Sequence, residues 1–142
     1  RDITDFFFVR SMIEVEIIRQ ATPNIPEEVI MELENQNANV RILAEKGFFT
    51  DHFKFDSNFH ETMLEFVDNS FLCSIAQSLL SRTMQFQKFI RKHSQNQIID
   101  STNEHFHMIE AIKQRNPELA AKSMKLHLEK SMERILMYVH YD

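Results

Sequence analysis

Cysteine, glycine, proline and tryptophan are scarce in this 142-residue sequence, which contains one, one, three and none of them, respectively. A single cysteine excludes an internal disulfide framework and is typical of a reducing compartment. Because so few glycines and prolines leave few places to turn, the sequence predicts long helices with short connections. We therefore expect an all-α fold, an antiparallel bundle of about six to seven helices.

Long apolar runs and an excess of positive charge are also missing. No apolar run approaches the ~18 residues that a membrane span needs, and no signal peptide is evident. The net charge of −5 disfavours a nucleic-acid surface, which requires clustered Lys and Arg. We therefore expect a cytoplasmic domain that binds neither membrane nor DNA through this segment. The sequence starts at Arg1 rather than Met, which suggests that a segment is missing upstream.

Apolar residues are abundant, at 43 % of the sequence with 13 Phe and 8 Met. At this length they predict one domain over residues 1–142 with a substantial core. Apolar residues at steps of three and four predict six helices, the first from about Thr4. The predicted helices end near Ala21, Lys46, Asp68, His93, Arg115 and Tyr138.

The third predicted helix places a carboxylate and an imidazole, Asp56 and His60, on one face, because residues four apart lie one turn apart. The other members of this stripe are apolar: Phe49, Phe53, Met63 and Val67. Both polar side chains are therefore expected to face the core. A buried carboxylate needs a cation or strong hydrogen bonds, and an inward Asp–His pair is half of a typical metal site.

Four further polar residues interrupt apolar stripes on other helices. His105 lies on the inward face of the fifth predicted helix and His127 on that of the sixth, while Arg10 and Arg82 interrupt the first and fourth. Each histidine alone has a simpler interpretation as a hydrogen-bonded core residue. Together with Asp56 they favour a metal site, because bundle cores build such sites from facing helices. Spacing alone leaves both interpretations open.

Several short motifs occur in the order found in a known family. They are Asp56-x-x-x-His60 after Phe55, Glu104-His105 followed by Ala111-Ile112, and Ala120-Ala121 with Met124 and His127-Leu128. Phe8-Val9-Arg10 with Glu14, and Asn69 after the third helix, fit the same pattern. Over nearly its whole length the sequence resembles the C-terminal FCD domain of GntR-family bacterial transcription regulators, in the metal-binding branch of the FadR/VanR-like subfamily. Ser70 departs from the pattern, since the family often has Pro there.

The resemblance implies a non-enzymatic, effector-sensing domain. In the metal-binding branch, the residues matching Asp56, His60, His105 and His127 hold a divalent metal at the floor of a cavity, and a small carboxylate effector completes the coordination. In the full-length proteins a winged helix-turn-helix domain precedes this one and binds operator DNA as a homodimer. The resemblance therefore implies that effector binding here modulates operator binding.

The ligand types limit the choice of metal and effector. One carboxylate and three imidazoles suit zinc, our first candidate, or nickel, manganese or Fe(II), and disfavour calcium and magnesium. Arg10 and Arg82 offer planar, charged groups that suit an effector carboxylate. The simpler alternatives are an ion pair between Arg10 and Glu14, and a surface position for Arg82.

Two enzyme classes are the alternatives to a sensor. A ferritin-like di-iron bundle needs two Glu-x-x-His pairs, and only one, from Glu104 to His107, is present. A metal-dependent hydrolase needs a carboxylate base beside open metal positions, and no inward Glu is evident. The hydrolase stays as the alternative function. Of the other histidines, we expect His107 to be solvated and the remaining three to lie at helix ends: His52, His93 and His140.

Overall fold

The computed structural model describes residues 2–139, apart from the side chains of Gln87 and Lys88. The helices are α1 (Asp2–Ala21), α2 (Glu27–Glu45), α3 (Thr50–Leu64), α4 (Ser70–Thr83), the single-turn α5 (Gln87–Ile90), α6 (Gln95–Lys113) and α7 (Pro117–Val139). Short 3₁₀ turns cover Thr22–Asn24 and Met84–Phe86, and no strand occurs within residues 2–139. The predicted all-α helical bundle is confirmed. The expected helix-end role of His140 lies outside the described residues.

Local capping signals account for three of the helix ends. At the start of α6, Ser94 and Gln97 form a capping box, with Gln97 N donating to Ser94 Oγ (3.2 Å) and Ser94 N donating to Gln97 Oε1 (2.8 Å). Asn69 Oδ1 accepts from Leu72 N at 2.9 Å and so caps α4. Gly47, with φ of 89°, ends the turn after α2 in the left-handed region that glycine adopts without strain.

The predicted length of the fourth helix is wrong. Instead of continuing to His93, α4 ends at Thr83, and a 3₁₀ turn and α5 follow. Packing explains the break, because the two phenylalanines of this segment turn toward other helices. Phe86 lies 5.2 Å from the ring of Phe6 on α1, and Phe89 joins a small buried cluster that includes Ile135 on α7.

The predicted inward face of α4 is also wrong. Ala76 is fully buried, and Leu72 and Cys73 pack against the core beside it. Arg82, predicted to face inward, is exposed, and Ile75 on the same side of the helix is 39 % exposed. Apolar residues occur on more than one face of this helix, and apolar spacing therefore could not determine its rotation.

The core lies between α1, α6 and α7, with α2 and α3 packed beside them. α1 packs most extensively against α7, and α6 packs against α7 and α2. The inward positions predicted for His105 on α6 and His127 on α7 are confirmed as buried, and neighbours one or two turns away on the same faces are buried with them: Ile98, Thr102, Ile109 and Ile112 on α6, and Ala120, Met124 and Ile135 on α7. Within residues 2–139, no helix combines the length and hydrophobicity that crossing a membrane requires.

Candidate metal centre

The four predicted metal-ligating residues meet in the core, from α3, α6 and α7. Asp56, His60, His105 and His127 each offer a ligand atom, and these atoms lie within 4.8 Å of one another. The three histidines all direct Nε2 toward Asp56 Oδ1, at distances of 3.5 Å for His60, 2.9 Å for His105 and 3.6 Å for His127. The imidazoles are buried, whereas the Asp56 side chain is 33 % exposed and faces a cavity.

Buried carboxylates orient two of these imidazoles. Protonated Nδ1 of His60 donates to Glu14 Oε1 at 2.5 Å, and Nδ1 of His127 donates to Glu104 Oε1 at 2.7 Å. A carboxylate on Nδ1 fixes the tautomer that leaves Nε2 available to a metal. The expectation that no Glu faces the interior is therefore wrong. The sequence did indicate that Glu14 faces inward, because it lies one helical turn after the inward Arg10.

Each carboxylate is also paired with a buried arginine. Glu14 accepts a hydrogen bond from Arg10 Nε, so the alternative interpretation of Arg10 as an ion-pair partner is correct in part. Arg10 also lines the cavity, and among the described residues no acceptor binds its two Nη groups. Glu104 accepts from both Nη atoms of Arg134 at 2.7 Å. Sequence reasoning missed Arg134, which lies seven residues, or two helical turns, after His127.

These contacts keep the carboxylates ionised. Burial raises the pKa of Glu14, but Arg10 and His60 outweigh it and bring the pKa to about 2. Burial likewise raises the pKa of Glu104, which hydrogen bonds from Arg134 and His127 lower to about 2. Burial raises the pKa of Asp56 as well, but hydrogen bonds from the three surrounding imidazoles hold it well below its usual range.

The same surroundings drive two histidine pKa values apart. Burial lowers the pKa of His60, but the adjacent carboxylates of Glu14 and Asp56 prevail and raise it to about 9. Burial dominates at His105 and lowers its pKa to about 3. At neutral pH and without a metal, His60 is therefore cationic and His105 is neutral.

The donor set fits a zinc-class ion. His60 Nε2 is buried, and its neighbour Asp56 Oδ1 lies at 3.5 Å, a long distance for a hydrogen bond. In the neutral ring this nitrogen is an acceptor without a close donor, and a metal cation would engage it. Ligands bonded at about 2 Å to one ion lie roughly 2.8–3.3 Å apart, from neighbouring positions of an octahedral ion, which keeps positions open, to those of a tetrahedral one. The separations from Asp56 Oδ1 are 2.9, 3.5 and 3.6 Å, close to that range.

A cavity of about 460 Å³ opens beside Asp56, His60 and His127. Its apolar lining comes from six segments of the chain: Phe7, Phe53, Leu80, Met84, Ile90 and Ile135. The uncharged polar residues that line it, apart from histidines, are Ser57, Gln77, Ser81, Thr83, Ser101 and Ser131. Arg82, predicted to face the effector, is exposed and does not line the cavity, so its predicted inward position is wrong.

Two further histidines line the cavity. His52 lies in the first turn of α3, as expected, but its side chain is only 5 % exposed and lines the cavity, so it does not have the solvated cationic or capping role of a helix-end histidine. It lies four residues before Asp56 and so shares its face, a signal that was available in the sequence. Burial lowers the pKa of His52, and burial lowers the pKa of His93 to about 4, so both are uncharged at neutral pH. His52 Nδ1 and His93 Nε2 are buried without a hydrogen-bond partner.

Comparison with known protein families identifies one match over most of the chain. The family described as the FCD domain matches residues 5–130. The chain is 24 % identical over 131 residues to the HTH-type transcriptional repressor RspR of Escherichia coli K12, covering 90 % of this chain and 56 % of that protein. It is equally similar to the uncharacterized HTH-type transcriptional regulator YdfH of Shigella flexneri. The chain thus spans about half the length of these relatives.

Two solved structures share the fold. E. coli McbR/YncC superposes with a TM-score of 0.85 at 14 % identity, over 100 % of this chain and 66 % of that one. Streptococcus agalactiae GntR superposes with a TM-score of 0.67 at 22 % identity, over 92 % of this chain and 58 % of that one. At these identities the likeness establishes the helical architecture alone.

Proposed function

The chain belongs to the FCD domain family of GntR-type transcription regulators, and from this membership we propose that it senses a small carboxylate effector through a bound divalent metal. The observation that carries the proposal is the convergence of one carboxylate and three Nε2 atoms within 4.8 Å. Asp56, His60, His105 and His127 would hold the ion, with zinc as first candidate and nickel, manganese or iron as alternatives. When bound, the ion supplies a Lewis-acidic position for a carboxylate oxygen.

The chain's own residues support effector binding beside the ion. Glu14 and Glu104 hold the Nδ1 protons of His60 and His127, which keeps Nε2 of each ring directed at the metal position. Arg10 lines the cavity, and its Nη groups, which bind no acceptor among the described residues, suit a carboxylate. The apolar walls limit water around the bound anion, which strengthens its electrostatic attraction. Arg82 has no part in this proposal.

We propose that effector binding changes operator binding by an upstream winged helix-turn-helix domain, and that the whole protein is a cytoplasmic homodimer. The relatives named as HTH-type regulators are longer than this chain, which supports such an arrangement. An effector alters operator binding only by binding one helix arrangement better than another, and typical coupling free energies are ~1–3 kcal/mol. The acidic net charge of −5 is consistent with DNA contacts made elsewhere.

A metal-dependent hydrolase is not favoured as the alternative. Its general base would have to be a carboxylate free to accept a proton. The two inward glutamates are each held by a histidine Nδ1 and an arginine, and the pKa of each is about 2. We propose a non-enzymatic role, and a turnover assay over a panel of esters and amides, with and without zinc, would contradict it by detecting metal-dependent hydrolysis.

The metal assignment predicts about one divalent ion per chain. The double variant His105→Ala, His127→Ala is expected to lose it, because two ligands held in the core are removed. Elemental analysis of purified protein is the measurement. His107→Ala is the matched control, since His107 lies on the same helix but is exposed. Equal metal content in the double variant and the parent protein would contradict the assignment.

The effector assignment predicts that small carboxylates raise the melting temperature of the zinc-loaded chain. The shift is expected to fall by more than half in Arg10→Ala and to be unchanged in Arg82→Ala, which removes an exposed arginine outside the cavity. Each variant is compared with its own ligand-free baseline, because Arg10→Ala also leaves Glu14 without its arginine. A shift that survives both zinc removal and Arg10→Ala would place the anion site elsewhere.

A further inference from the structure

A second, smaller apolar cluster lies apart from the main core. Its buried members are Phe7 of α1, Phe89 of α5 and Ile135 of α7. Partly buried residues pack around these three, and together they form what we call the satellite cluster: Ile3, Phe6, Phe86, Ile90, Met132, Tyr138 and Val139. Among the described residues, the satellite cluster and the main core share no member.

The two longest helices, α1 and α7, each contribute to both clusters. The first turns of α1 pack in the satellite cluster, whereas Ile17 lies in the main core. In α7 the order is reversed, with Leu128 in the main core and Ile135 in the satellite cluster. The buried arginines Arg10 and Arg134 lie between these positions along the two helices. Charged groups therefore interrupt the apolar packing that would otherwise join the two clusters.

The cavity borders the satellite cluster rather than the main core. Its apolar lining includes Phe7, Ile90 and Ile135 of the satellite cluster and, among the described residues, no member of the main core. Side chains that face a cavity lack partner atoms on that side and lose the corresponding dispersion contacts. The satellite cluster is therefore both small and incompletely packed, and such a unit opens locally at a lower free energy than a core does.

We propose that the satellite cluster is a conformational device that couples occupancy of the cavity to the order of the first turns of α1. The ring of Phe86 lies 5.2 Å from that of Phe6 and 6.3 Å from that of Phe7, both on α1. These contacts join α1 to the segment of residues 84–93, which lines the cavity through Ile90 and its neighbours. A group that fills the cavity contacts this wall only while the cluster is closed, so it stabilises the closed cluster and the α1 turns within it.

The coupling depends on packing alone and not on a bound metal or on the proposed function. Under the proposed function, it would carry the effect of cavity occupancy to the N-terminal end of α1, where an upstream domain would be attached. Helix α2 packs on α3 and α6, and it contributes no member to the satellite cluster and no lining residue to the cavity. Its amides therefore serve as an internal reference for hydrogen exchange.

A cavity-filling variant tests the coupling without any ligand. Ser101 is buried on α6 and lines the cavity, so Ser101→Leu places a larger apolar side chain against that wall. In the metal-free chain, hydrogen exchange at the amides of residues 6–9 is expected to slow at least about fivefold, while exchange in α2 changes less than about twofold. These amides follow the first four of α1, which have no intrahelical acceptor. Ser78→Leu, at an exposed serine outside the cavity, is expected to change neither. Exchange at residues 6–9 that does not slow in Ser101→Leu would overturn the inference.

Removal of a satellite side chain tests the same coupling in the opposite direction. Phe89 is distant in sequence from α1, yet Phe89→Ala is expected to speed exchange about tenfold or more at residues 6–9 as well as at residues 89–93. Leu33→Ala, in the main core, is expected to speed exchange in α2 and to leave residues 6–9 unchanged, because those amides exchange through local opening.

Two results in these variants would contradict the coupling. Faster exchange confined to residues 89–93 in Phe89→Ala would show that the first turns of α1 open independently of α5. Equal acceleration at residues 6–9 in Phe89→Ala and Leu33→Ala would show that these amides exchange only by global unfolding, so that the satellite cluster is not a separate unit. Both measurements are made without metal or ligand, so either failure would leave the proposed function standing.

Discussion

Replacing Glu104 by alanine is expected to lower the free energy of unfolding of the metal-free chain by about 3–5 kcal/mol. Glu104 accepts hydrogen bonds from both Nη atoms of Arg134 and from His127 Nδ1, all at 2.7 Å. The Arg134 side chain is only 9 % exposed, so the truncation leaves a charged guanidinium buried without its counterion. Urea denaturation with EDTA present measures this cost without any contribution from metal binding.

Two further variants distinguish the cost of burying an unpaired arginine from a general loss of stability. Glu110→Ala removes a glutamate of the same helix whose partner Lys113 is 3.5 Å away and exposed to solvent, and it is expected to cost far less than Glu104→Ala. The double variant Glu104→Leu, Arg134→Met removes both charges and is expected to recover most of the loss. If the double variant is no more stable than Glu104→Ala, an uncompensated arginine is not the cause.

The residues that interrupt apolar periodicity were the most informative part of the sequence. His105 and His127 each replace an apolar residue at an inward position of a helix, and both are buried where the stripe predicts. Their convergence with Asp56 and His60 follows from helix geometry once three helices pack together. Their role as metal ligands stays a prediction, because convergence is also compatible with a hydrogen-bonded core.

The surroundings of the centre were harder to predict, since they depend on contacts between distant segments. Glu14 contacts His60 across 46 positions, and Arg134 contacts Glu104 across 30. The i,i+4 spacing of Arg10 and Glu14 occurs both on solvated helix faces and in cores, so the spacing alone did not show that this pair is buried. Arg82 illustrates the opposite error, because the polar residues Ser74, Gln77, Ser78 and Ser81 of α4 recur at steps of three and four, and Arg82 lies beside them on the exposed face.

The stability of the metal-free chain is expected to be greatest near pH 6.5 because of two histidines with opposite pKa shifts. The pKa of His60 is about 9 rather than 6.5, so between these values only the folded chain binds its proton and stability falls as the pH rises. The pKa of His105 is about 3, so between pH 6.5 and 3 only the unfolded chain binds its proton and stability falls as the pH drops. The His60 shift corresponds to about 3 kcal/mol.

Zinc is expected to remove the alkaline loss of stability, because zinc-bound His60 carries no proton and so has none to lose as the pH rises. The ion must displace the proton from His60, so at neutral pH its affinity should rise by about tenfold per pH unit, until the pH reaches the pKa of His60 at about 9. The difference in melting temperature between zinc-loaded and EDTA-treated protein should therefore widen from pH 6 to pH 8.5. In His60→Gln, the metal-free protein should no longer lose stability at alkaline pH, and the zinc-dependent difference in melting temperature should no longer widen. His107→Gln changes an exposed histidine and should keep both effects. A difference that stays constant over this range would mean that zinc binding releases no proton from His60.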